Sequence, residues 1–92
     1  MKIKKNHITT AMAFPPETAD ADRRAATEIF ASYLCRRAGL PARVLPLIFP
    51  PVLGALLADC SFFAAGWERS LSCRLALALC RRLGKKAFFE EA

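Results

Sequence analysis

Apolar positions divide the chain into a mixed start, an amphipathic stretch, a nearly continuous apolar stretch and a second amphipathic stretch. In the first amphipathic stretch Ala25, Ala26, Ile29, Phe30, Tyr33 and Leu34 recur at i, i+4 spacing and share one side of a helical wheel. Glu17, Asp20 and Asp22 lie at its beginning and Arg36 and Arg37 at its end, the order that complements the helix dipole. Gly39 suits a left-handed C-terminal position, Leu40 can supply the accompanying apolar contact, and Pro41 stops propagation. The pattern predicts a helix over 17–38.

From Val44 to Trp67 the only charge is Asp59, and Pro46, Pro50, Pro51, Gly54 and Gly66 interrupt the run. The prolines limit 40–50 to a connection with at most one turn. Pro51 fits the first position of a helix, where its missing N–H costs nothing. That helix is predicted to run over 51–65 and to stop at Gly66. Val52, Leu53, Leu56, Leu57, Phe62 and Phe63 make it apolar almost all round, so it is either buried or faces lipid. A third helix is predicted over 68–83, with Leu71, Leu75, Leu79 and Leu83 as its core row and Gly84 as its C-terminal stop. Residues 1–16 read as a basic flexible arm with a short extended piece around Ile8–Phe14, closed by Pro15 and Pro16. Phe88 and Phe89 sit on a short tail that must fold back or dock, because exposed phenylalanines are a liability. The fold expected is all-α: a small three-helix bundle forming one domain over 17–92.

Composition agrees with helix. Of 92 residues 54% are hydrophobic, Ala and Leu dominate, and β-branched residues are few. This much apolar surface can offset chain entropy, which excludes a disordered chain. A membrane span is the alternative for the apolar stretch. Its uninterrupted part, 51–65, covers only about 22 Å at about 1.5 Å per residue, against roughly 30 Å of hydrocarbon. Asp59 adds a penalty of about 2.5–3.5 kcal/mol near the centre of such a span. A buried helix in a cytoplasmic protein is therefore favoured over insertion or membrane attachment. The start has no apolar run long enough for a signal peptide.

Chemistry-bearing residues are scarce. Cys35, Cys60, Cys73 and Cys80 contain no C-x-x-C pair, which argues against structural zinc. On one helix Cys73 and Cys80 would stand about 10 Å apart, beyond the roughly 7 Å Cα limit of a disulfide. All four read as reduced core thiols. His7, the single histidine, lies in the arm without a tied acid or nucleophile. Asp59 and Glu68 suit capping or ion pairing. No phosphate-binding glycine loop, nucleophile elbow or zinc-hydrolase pattern occurs. The sequence thus predicts no enzyme, no metal and no cofactor. A helix-turn-helix reading rests on Gly66 alone: Phe62 stands where a small residue is needed and Ser72 where an aliphatic is.

Charge supplies the remaining expectation. The net charge is +6, with surplus at both ends of the chain. Arg74 and Arg81 fall within about 20° of each other on the third helix, off the leucine row. With Arg82, Lys85, Lys86, Arg36 and Arg37 they form the candidate partner-binding set. The function predicted is a non-enzymatic interaction protein, an accessory subunit or inhibitor docking through this basic face on a larger acidic or nucleic-acid-containing assembly. Direct nucleic-acid binding, a membrane surface and a second copy of the chain are the alternative partners.

Overall fold

The structure, a computed structural model, describes residues 6–90. It corrects the fold class: the chain is α/β, not an all-α bundle. The order is β1 (Ile8–Ala13), α1 (Asp20–Ala38), β2 (Ala42–Val44), α2 (Pro51–Leu57), β3 (Cys60–Phe63), α3 (Leu71–Arg82) and β4 (Lys86–Phe89), with a 3-10 turn at Trp67–Arg69 before α3. The four strands form one sheet in the order β2-β1-β3-β4, every neighbouring pair parallel. Thr10 pairs with Val44 on one side and with Cys60 on the other, and Cys60 pairs with Lys86. One apolar cluster joins α1 to one face of the sheet, and a second joins α2 and α3 to the opposite face.

The predicted helix over 51–65 is two elements. Pro51 opens α2 as expected, but the helix ends at Leu57, where Ala58 turns extended at φ −90°, ψ 163°. Asp59 then accepts the Thr9 N–H at 2.8 Å through its carboxylate, anchoring the start of β3 beside β1. All four residues of β3 are buried. A parallel strand covered on both faces shows no polar alternation, so its apolar run reads the same as that of a buried helix. Gly54 is what lets α2 lie on the sheet: a Cβ there would come within 2.7 Å of the Ala11 Cβ. The helix-turn-helix reading fails with the same correction, because β3 separates α2 from α3. No helix among the described residues is long and apolar enough to cross a membrane.

The stretch read as an arm contributes a central strand. Its extended piece is β1, with Thr10–Ala13 buried between β2 and β3. Lys2, Lys4 and Lys5 lie outside the described residues. The tail phenylalanines fold back as β4, paired to β3 through Phe62–Phe88 and Phe63–Phe89.

Helices α1 and α3 lie within their predicted ranges, but their buried faces differ from those predicted. In α1, Phe30 and Leu34 are buried as expected, whereas Ile29 is 72% exposed. In α3 the buried residues are Cys73, Ala76, Leu77 and Cys80, while Leu71 and Leu75 are 62% and 52% exposed. The two rows are about 130° apart at 3.6 residues per turn. Packing decides it: α3 meets Ala13 and Phe63 of the sheet through small side chains, and Phe63 fills the space a leucine row would need. Cys35 is exposed on α1, so only Cys60, Cys73 and Cys80 are core thiols.

Candidate functional site at the carboxyl edge of the sheet

In a sheet of this order the chain leaves β1 toward one face and leaves β3 toward the other. A crevice opens where the two connections part, beyond the carboxyl ends of the strands. Here the parting loops are 14–19, leading to α1, and 64–70, leading to α3. Prolines 15 and 16 end β1, and Gly66 turns the second loop at φ 88°, a left-handed conformation that suits glycine. A Cβ at Gly66 would also strike the Arg69 guanidinium at 2.6 Å.

A cavity of about 500 Å³ lies on the α1 side of this edge, with Phe14, Ala64 and Ala65 on its sheet side and Glu17, Thr18 and Asp22 among its lining from α1 and the loop before it. Glu90 also borders it, and its Oε1 accepts the Ala65 N–H at 2.9 Å, which ties the β3 loop to the end of β4. Arg23 braces the other loop: its Nε donates to Thr18 O at 3.1 Å and its guanidinium lies 5.6 Å from the centre of the Phe14 ring. Arg69 bridges the loops through Glu17 at 3.6 Å, an exposed pair of small energetic weight. Three carboxylates therefore border an apolar floor.

At the start of α3, the Ser70 hydroxyl accepts the Cys73 N–H at 3.4 Å and caps the helix. Cys73 is fully buried and burial pushes its thiol up from 9.0, the reverse of what an active nucleophile needs. No group of three metal-ligating side chains occurs among the described residues.

The predicted binding residues fall in two places. Helices in this fold run antiparallel to the strands, so the ends of α1 and α3 lie at the amino edge of the sheet, where β4 begins. Arg36, Arg37, Arg81, Arg82, Lys85 and Lys86 are thereby brought to one end of the molecule. Arg43 of β2 joins that end, a contribution the helical reading could not include. Arg74 lies in the first half of α3, away from the others. Lys85 is partly committed, because its Nζ donates to Ala55 O at 3.1 Å and Leu56 O at 2.7 Å and so caps the end of α2. Arg37 donates to the Tyr33 hydroxyl at 2.9 Å. Asp59 stands in the same region, lining a cleft of about 190 Å³ with Arg37 and Lys86. The amino edge is thus strongly basic, whereas at the carboxyl edge Glu17, Asp20, Asp22, Glu68 and Glu90 stand among Arg23, Arg24 and Arg69.

The sequence reading missed Phe14, Glu17, Asp22 and Glu90 as site residues. The available signal was Pro15-Pro16 directly after a short apolar run, a strand-to-loop ending that precedes a helix. Comparison with family models, with curated proteins and with solved structures finds no match to this chain.

Proposed function

We propose that the chain is a small-molecule binding protein whose ligand lies across the carboxyl ends of β1 and β3. The observation that carries this reading is the cavity bordered by Phe14, Ala64, Glu17, Asp22 and Glu90 where the two connections part. Phe14 and the alanines favour a flat apolar body. The carboxylates are acceptors, so they favour hydroxyl or ammonium donors on the ligand and disfavour phosphate. The reading is of binding, because the lining combines an apolar floor with a few hydrogen-bond acceptors.

An amide-resolved NMR titration with a nucleoside, a monosaccharide and an aromatic amine tests it. At least one probe is expected to shift resonances confined to 14–22, 64–69 and Glu90. Asp22→Asn should weaken that probe about tenfold, because a charged acceptor becomes a neutral one. Ala25→Trp, which fills the cavity from the exposed side of α1, should abolish binding. No response to any probe at millimolar concentration, or shifts centred elsewhere, would contradict the reading.

A second reading is supported by the gathering of Arg36, Arg37, Arg81, Arg82 and Lys86 from three elements at one end. In it the chain is a non-enzymatic accessory protein that docks this end on an acidic partner surface. Arg81→Glu with Arg82→Glu should then abolish retention on an immobilised acidic peptide and leave the melting temperature unchanged. Retention equal to that of the unaltered chain would remove this reading.

A further inference from the structure

We propose that β4 is a dimerisation strand, on which a second copy of this chain pairs antiparallel about a two-fold axis at Phe88. Strand β4 ends the sheet, and no strand lies on its outer side among the described residues. The Glu90 N–H donates to Phe63 O at 2.9 Å, so Lys86, Phe88 and Glu90 direct their backbone groups to β3. Strand alternation then turns the N–H and C=O of Ala87 and Phe89 toward the open edge. Neither a proline nor a bulge interrupts this edge, and its charged residue, Lys86, is matched by Glu90 when the strand is reversed.

The segment Lys86-Ala87-Phe88-Phe89-Glu90 is complementary to itself when reversed. With the axis at Phe88, Ala87 and Phe89 of each copy exchange hydrogen bonds through the groups that face outward. Lys86 meets Glu90 of the second copy, and Phe88 meets Phe88. These are non-hydrogen-bonded pairs, whose Cα atoms approach to about 4.5 Å and whose side chains interact most closely. On the opposite face, Phe89 lies over the small Ala87. Moving the axis to Ala87 or Phe89 sets Phe88 against Lys86 or Glu90, so the charge and aromatic pattern selects one register.

Two wider features agree with that orientation. The amino edge is strongly basic and the carboxyl edge carries mixed charge, and antiparallel pairing keeps the two basic edges apart. Parallel pairing would set like charges together. An apolar groove of about 410 Å³ also runs along this edge, lined by Ile29, Tyr33, Phe88 and Phe89, and it is continuous with the proposed ladder.

Charge exchange tests the pairing. Sedimentation of the unaltered chain should give twice its 10.1 kDa mass. Lys86→Glu alone and Glu90→Lys alone should each weaken association by at least about tenfold, since both ion pairs of the dimer become like-charge contacts. An equimolar mixture of the two variants should recover the dimer, because one copy carries two acids and the other two bases. Circular dichroism melts of each variant separate loss of pairing from loss of fold. A monomeric unaltered chain at several hundred micromolar overturns the proposal. So do single variants that dimerise as tightly as the parent, or folded variants whose mixture stays monomeric.

Discussion

The two faces of the sheet are built on different principles. Under α2 and α3 most contacts are made by small residues: Ala11 against Gly54, and Ala13 with Ala55, Cys73, Ala76 and Cys80, packed around Phe63 and Leu77, with the Trp67 and Phe89 rings against Phe63. Two helix backbones can approach closely there, and the strands beneath them are sealed. Under α1 the contacts are aromatic: Phe30 lies 4.7 Å from Phe62 and 5.3 Å from Phe88, centre to centre. One helix with bulky side chains covers less of the sheet. Tyr33 and Ile29 are left on an open groove, and the carboxyl-edge cavity lies on this same side. Tight packing gives the molecule its rigidity, and the thinly covered face gives it concave surface.

The sharpest break of this comparison is Phe63→Ala. It removes the largest fully buried side chain of the sealed face and should cost about 3–5 kcal/mol, a large part of a total of about 5–15 kcal/mol. Denaturant unfolding measures it, and a cost under about 1 kcal/mol would mean that the face is loosely packed. Within α3, Leu77→Ala should cost about 2–5 kcal/mol, whereas Leu75→Ala two residues earlier should change stability by no more than about 0.5 kcal/mol. Equal costs would restore the leucine row as the core. Gly54→Ala follows at about 1–3 kcal/mol from overpacking against Ala11, less what alanine gains in helix propensity. Ser61→Ala should go the other way. The Ser61 hydroxyl is buried without a hydrogen-bond partner among the described residues. Its removal should therefore raise the unfolding midpoint, by the equivalent of about 1 kcal/mol.

The smallest effect is in the thiols. Burial pushes the Cys60 and Cys73 thiols up from 9.0, so folding favours their neutral forms. Their contribution is complete below the ordinary thiol range and is lost as pH rises from there through their raised folded values, so stability should fall above about pH 8.5. A thiol reagent under native conditions should modify Cys35 rapidly and the three buried thiols slowly. Four equal rates would place Cys60, Cys73 and Cys80 on the surface.

Local signals specified the helices that have caps. Gly39, the acidic start and the Arg36-Arg37 end located α1, and Gly84 marked the end of α3 within a residue or two. Proline 51 located the start of α2 equally well. Of the strands, β1 was legible as the extended piece around Ile8–Phe14, while β3 was hidden for a physical reason. Helix and strand differ in sequence by period, and period is visible only when one side is wet. Cys60–Phe63 is buried on both sides, so it carries none. The same blindness misassigned the faces of α3. Alanine and cysteine look neutral beside a row of leucines, yet small side chains are what a closely packed helix presents to a sheet. The candidate site was hidden with β3, because it exists only where two strands end side by side.

The account rests on β1 being the centre of a parallel sheet rather than part of a flexible arm. Amide hydrogen exchange followed residue by residue in the native protein tests this most directly. Backbone amides of Thr10–Ala13 and of Cys60–Phe63 are predicted to be among the slowest in the chain, opening only with global unfolding. Exchange of Thr10–Ala13 at rates near those of an unstructured peptide, with slow exchange confined to helical segments, would contradict the sheet and return the chain to a bundle.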